Sequence, residues 1–107
     1  MPDTEELKPH WFQILLSLAE RDLHGTAIME EVLERTEGRM HLWPGTLYGS
    51  LSDLDELGLI QETEPPEDAP TEGGRRRFYA ITPEGLQALR KEARLLASYL
   101  ETARDRG

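Results

Sequence analysis

Arg75-Arg76-Arg77 is the densest basic run in this 107-residue chain, and it follows at once on a stretch from Asp53 to Glu72 that holds eight acids and no base. Three adjacent guanidinium groups can neutralise phosphates or sit as a solvated strand end; nothing else in the sequence concentrates positive charge so tightly. A second chemically suggestive segment is Trp43-Pro44-Gly45-Thr46-Leu47-Tyr48-Gly49, where proline opens a helix and small or hydroxylated residues follow. A helix N-terminus favours an anion, and hydroxyls donate well to phosphate oxygens. Catalytic and metal chemistry find less support. His10, His24 and His41 are far apart with no His-x-x-x-His pair, Glu30 and Glu34 read as a solvated helix face, and Ser and Thr lack a partnering His/Asp arrangement. Zero cysteines remove disulfides, thiolate sites and thiol nucleophiles. The chain is therefore expected to be no enzyme, with no cofactor and no metal.

These residues need a scaffold, and the chain is long enough for one small domain. Apolar residues Trp11, Phe12, Ile14, Leu15, Leu18 and Ala19 recur at helical spacing after Pro9, up to about Arg21-Asp22. A second helix is expected from Thr26, as N-cap, to Gly38, as C-terminal glycine, with Ala27, Ile28, Val32 and Leu33 inward. The third opens at Trp43-Pro44, buries Leu47, Leu51 and Leu54 at i, i+4 and i+7, and stops at Gly58. That phase turns Gly45, Gly49 and Ser52 outward, flanked by Thr46 and Tyr48, and leaves Asp53, Asp55 and Glu56 in the C-terminal half. A strand from Leu59 or Ile60 to Glu64, a loop rich in proline and glycine, and a strand from Arg76 to Ile81 make a hairpin. Thr82-Pro83-Glu84 starts a last helix reaching about Arg104, with Leu86, Leu89, Ala93, Leu96 and Leu100 as a heptad seam.

The order is helix, helix, helix, strand, loop, strand, long helix. It predicts a mostly α (α+β) fold: a winged helix-turn-helix with a two-stranded wing and a long C-terminal dimerisation helix. Residues 1–82 form the winged helix and 83–107 the dimerisation helix of one compact unit. Such a plan puts the third helix in the DNA major groove and the hairpin on the backbone. The expected DNA contacts are Thr46, Tyr48, Gly49, Ser52, Arg75, Arg76 and Arg77. The net charge of −9 does not exclude them, because residues 1–72 carry −13 and residues 73–107 carry +4. The acidic surface motivates a rival expectation, a winged helix that binds proteins without touching DNA. A hydrophobic share of 37% is low, so a second subunit is expected to cover part of the apolar surface. No apolar run spans a bilayer and MPDTEELKPH is acidic and polar, so neither membrane contact nor a signal peptide is expected, and the cytoplasm is the expected compartment.

The sequence resembles the PadR family of transcriptional regulators. The resemblance rests on Phe12-Gln13-Ile14-Leu15-Leu16-Ser17-Leu18, His24-Gly25, and Pro44-Gly45-Thr46-Leu47-Tyr48 with Leu51 and Leu54. It extends through Leu57-Gly58-Leu59-Ile60, Arg76-Arg77-Phe78-Tyr79 and Ile81-Thr82-Pro83-Glu84-Gly85. It covers about residues 7–97. It implies a homodimeric repressor of the short subfamily with one C-terminal helix, often releasing DNA on binding a small aromatic or hydrophobic effector. Trp11 and Tyr99 are the aromatics expected at such an effector pocket, between the first helix and the last helices of two subunits. Two features depart from the family pattern: Thr26 stands where an aromatic commonly follows His-Gly, and the wing is longer and more acidic, through Glu64, Glu67, Asp68 and Glu72.

Overall fold

The computed structural model describes residues 7–67 and 77–107. Four helices, α1 (Pro9–Glu20), α2 (Gly25–Arg35), α3 (Pro44–Glu56) and α4 (Pro83–Arg106), surround a small antiparallel sheet of β1 (Leu23–His24), β2 (Ile60–Thr63) and β3 (Phe78–Ile81), ordered β1-β3-β2. The sheet has three strands where the sequence pattern predicts two. Leu23 pairs with Tyr79 and His24 with Phe78. Two residues are too few to show alternation, so β1 leaves no periodic signal.

The core forms where three apolar stripes meet. Ile14, Leu15 and Leu18 of α1, Ile28 and Val32 of α2, and Leu47, Leu51 and Leu54 of α3 are all buried, and Leu42 and Ile60 close the ends. Each such side chain contributes about 1.5–3 kcal/mol by leaving water. A polar bolt joins α1 to α2. The Arg35 guanidinium donates to the Gln13 carbonyl (2.9 Å), to Gln13 Oε1 (2.9 Å) and to Ser17 Oγ (2.8 Å). Ser17 is buried, and this bond satisfies its hydroxyl.

The helix ends differ from expectation at α2. His24, not Thr26, caps it: its Nδ1 accepts from the Ala27 N–H at 3.2 Å, while Thr26 is already helical and exposed. Because β1 holds His24 extended, the turn into helix must fall at Gly25. At the C-terminus the Gly38 N–H bonds the Leu33 carbonyl and the Glu37 N–H bonds that of Glu34, a Schellman pairing that puts Glu37 at φ 56° just before Gly38 at 81°. Gly58 behaves as expected, at φ 78°, with Leu59 N–H on the Leu54 carbonyl and Gly58 N–H on that of Asp55.

Thr82 joins the wing to α4. Its Oγ1 accepts from the Gly85 N–H (3.0 Å) and donates to the Gly58 carbonyl (2.6 Å). A Cβ on Gly85 would collide with the Leu59 carbonyl, so α4 approaches the end of α3 at a distance only glycine permits. The residues of the expected heptad differ in exposure within the subunit. Leu89 is only 6% exposed in the subunit's own core, and Leu86 is partly buried against the same cluster. Beyond Leu89 the helix leaves that core, and Ala93, Leu95, Leu96, Tyr99 and Leu100 are exposed.

Candidate nucleic-acid interface

The phase of α3 follows from its core leucines. With Leu47, Leu51 and Leu54 inward, Gly45, Thr46, Tyr48, Gly49 and Ser52 are all exposed. Ser50, at i+3 from Leu47 and four residues before Leu54, is buried on the same face. Around Gly45 and Gly49 an added Cβ would meet nothing within 4 Å, so these glycines open the outer face instead of admitting a neighbouring helix.

The N-terminus of α3 is uncapped. Trp43 makes no side-chain cap bond, Pro44 has no N–H, and the first intrahelical bond runs from Leu47 N–H to the Trp43 carbonyl at 2.8 Å. The Gly45 and Thr46 N–H groups thus lack intrahelical acceptors and stand at the positive end of the dipole. Asp53, Asp55 and Glu56 are exposed in the other half. A polyanion approaching along the N-terminal end is attracted, and one lying flat along the helix is repelled.

Tyr48 connects this helix to two other elements. Its hydroxyl lies over Gly25, where a Cβ would come within 2.7 Å of the Oη. Its phenol also lies close enough to Tyr79 on β3 to bear on that group's ionisation. Burial pushes the Tyr79 phenol above its ordinary value, with Glu62 and Tyr48 adding to the rise and an Arg77 hydrogen bond opposing it. Tyr79 therefore remains a neutral donor at physiological pH. Arg77 itself is exposed and lies 3.9 Å from Glu62, a loose surface pair. Tyr79 itself is 7% exposed and belongs to the core cluster. Arg75 and Arg76, like the tip of the wing with Asp68 and Glu72, lie outside the described residues.

The family model for the transcriptional regulator PadR-like family matches residues 14–91. The chain belongs to the PadR-like family of transcriptional regulators. It is similar to the transcriptional regulator Rv3488 of Mycobacterium tuberculosis, with 36% identity over 83 residues, covering 78% of this chain and 71% of that protein. It is also 37% identical over 84 residues to an uncharacterised 37.1 kDa protein in transposon TN4556 of Streptomyces fradiae; the match takes in 78% of this chain but only 22% of that longer protein. Among solved structures, a PadR family transcription regulator from Clostridium difficile superposes with a TM-score of 0.77 at 26% identity, covering 92% of this chain and 97% of that one. PadR-like proteins are regulators and not enzymes, which agrees with the absence of a catalytic constellation in the sequence.

The two aromatics expected at a PadR effector pocket are placed differently from each other. Trp11 is 8% exposed in the subunit's own core, with the Lys8 ammonium 4.8 Å from its ring centroid, whereas Tyr99 is 59% exposed on α4. An open cleft of about 490 Å³ lies elsewhere, between Gln13 and the α2–α3 turn. Among the described residues no group of three or more His, Asp or Glu side chains could hold a metal ion, and no helix is long and apolar enough to cross a membrane.

Proposed function

We propose that this PadR-like regulator binds an operator as a homodimer. The N-terminal half of α3 enters the major groove, and Thr46, Tyr48, Gly49 and Ser52 face base edges and phosphates. Arg77, with Arg75 and Arg76, takes phosphates from the wing. The observation that carries this reading is the exposed, small-residue N-terminal half of α3, with two unbonded helix N–H groups and open space at Gly45 and Gly49. Ala93, Leu96 and Leu100 pair with the same residues of a second subunit. Their exposure supports this, because one subunit of this size leaves the stripe in water. The regulator acts as a cytoplasmic repressor, released by a small aromatic or hydrophobic effector lodged between α1 and the paired α4 helices near Tyr99.

The test is binding to duplexes from the chain's own genomic neighbourhood and to random duplexes, each at two salt concentrations. The proposal expects tighter binding to one promoter and a steep loss with salt. No binding even at low salt would move the function to a protein-interaction module, in which the acids of α3 face a partner protein.

A further inference from the structure

Trp43 is the most exposed large apolar side chain among the described residues, at 64%, and it stands on the turn before α3; the other exposed aromatics are Tyr48 on α3 and Tyr99 on α4. Its indole lies outside the buried core of the helix-turn-helix. Its position is nonetheless fixed twice. Pro44 confines the Trp43 backbone to the extended region, observed at φ −65°, ψ 154°. The indole then stacks on the His41 imidazole, with ring centroids 3.8 Å apart and planes 14° from parallel. A large flat group is thus held in place beside the uncapped Gly45 and Thr46 N–H groups, at the end of α3 that meets DNA in the proposed function.

We propose that Trp43 is a DNA contact, with its indole face on the deoxyribose edge of the groove and its Nε1–H donating to a phosphate oxygen. The inference rests on the DNA-binding reading and deepens it. Its force comes from what α3 lacks: the helix, Pro44–Glu56, contains no lysine or arginine and carries three acids. Affinity at this end must come from dipoles, hydroxyls and apolar contact. A tryptophan supplies the last of these at little entropic cost when already stacked. A contact of this kind releases no counterions, so it has a signature that separates it from the wing. Trp43 sets the level of the affinity, and the arginines set its salt slope.

The experiment uses the whole chain, the tightest duplex recovered by selection, and a random duplex. Trp43→Ala should weaken both by about tenfold, leaving the slope of log Kd against log salt unchanged. Trp43→Phe should restore part of the loss. Tryptophan emission supplies an independent reading, because the other tryptophan, Trp11, is buried and acts as a fixed background. Saturation with duplex should change the wild-type emission and protect it from acrylamide, and Trp43→Phe should abolish that change. Wild-type affinity in Trp43→Ala, or emission that ignores DNA, overturns the contact while leaving the DNA-binding reading intact. Emission that changes with protein concentration alone reassigns Trp43 to a protein interface and overturns it equally. A wild-type chain that binds no duplex at low salt overturns both readings together.

Discussion

Replacing Gly25 with alanine tests whether Tyr48 is aimed at DNA by the helix-turn-helix or merely sits on it. A Cβ at Gly25 would lie 2.7 Å from the Tyr48 Oη, 3.0 Å from Cζ and 3.1 Å from Cε1. Ordinary contact begins at 3.4 Å, so the hydroxyl must retreat by about 0.7 Å. The obstructed atoms are the far end of a side chain that is 49% exposed, so the ring can swing outward while the backbone stays. Alanine is meanwhile the better helix former, by up to about 1 kcal/mol in a helix interior and less in a first turn. The two effects oppose each other, and the predicted change in stability stays within about 1 kcal/mol, or a Tm shift of no more than about 4–8 °C. DNA binding has no such compensation. A phosphate bond of about 2.8 Å, with its hydroxyl displaced by about 0.7 Å, loses its distance or its alignment. Hydrogen bonds to charged groups contribute about 1.5–3 kcal/mol, so affinity should fall about tenfold or more. Thermal melting and fluorescence anisotropy on one duplex read the two quantities separately. In a Tyr48→Phe background the Gly25→Ala step should have almost no further effect. An equal loss in both backgrounds, or collapse of the fold, would refute the claim that Gly25 acts through Tyr48.

Three further substitutions divide the molecule by role. Leu89→Ala should destabilise the subunit by about 2–5 kcal/mol, read by chemical denaturation, because Leu89 is buried within the subunit itself. Leu96→Glu should instead halve the mass seen by light scattering or unfold the protein, since its exposed side chain has only a second subunit to bury it; a stable dimeric variant would count against the α4 seam. Arg77→Ala should weaken binding to all sequences and flatten the salt slope by about 0.9 for each phosphate that is no longer neutralised. Unchanged affinity would remove Arg77 from the interface.

The parts of the fold that were legible in the sequence are those written into a local pattern. Leu47, Leu51 and Leu54 announce both α3 and its buried face, Thr82-Pro83 marks a start by local capping chemistry, and Gly58 marks a stop by its freedom at positive φ. The exposed set Thr46, Tyr48, Gly49 and Ser52 follows from the same leucines. What was missed depends on residues distant in sequence. β1 exists because Leu23 and His24 meet β3 more than fifty residues later, and that pairing moves the α2 cap from Thr26 to His24. The heptad from Leu86 to Leu100 is one unbroken stripe in sequence, so periodicity cannot show that α1 and β3 cover its first turns and leave the rest exposed. Trp43 illustrates the converse: an aromatic beside a proline suggests packing, yet the turn from Glu37 to Leu42 directs the chain so that Leu42 enters the core and Trp43 does not. Charge was the least informative summary, because −9 sums a balance of −13 over residues 1–72 and +4 over residues 73–107.

The central claim is that two α3 helices read one operator from the same side of the duplex. Hydroxyl-radical footprinting of the selected operator measures this directly. The account predicts two protected patches centred about one helical turn, ~34 Å, apart on one face of the DNA, both fading together in Leu96→Glu. A single patch, or protection that survives loss of the dimer unchanged, would contradict it.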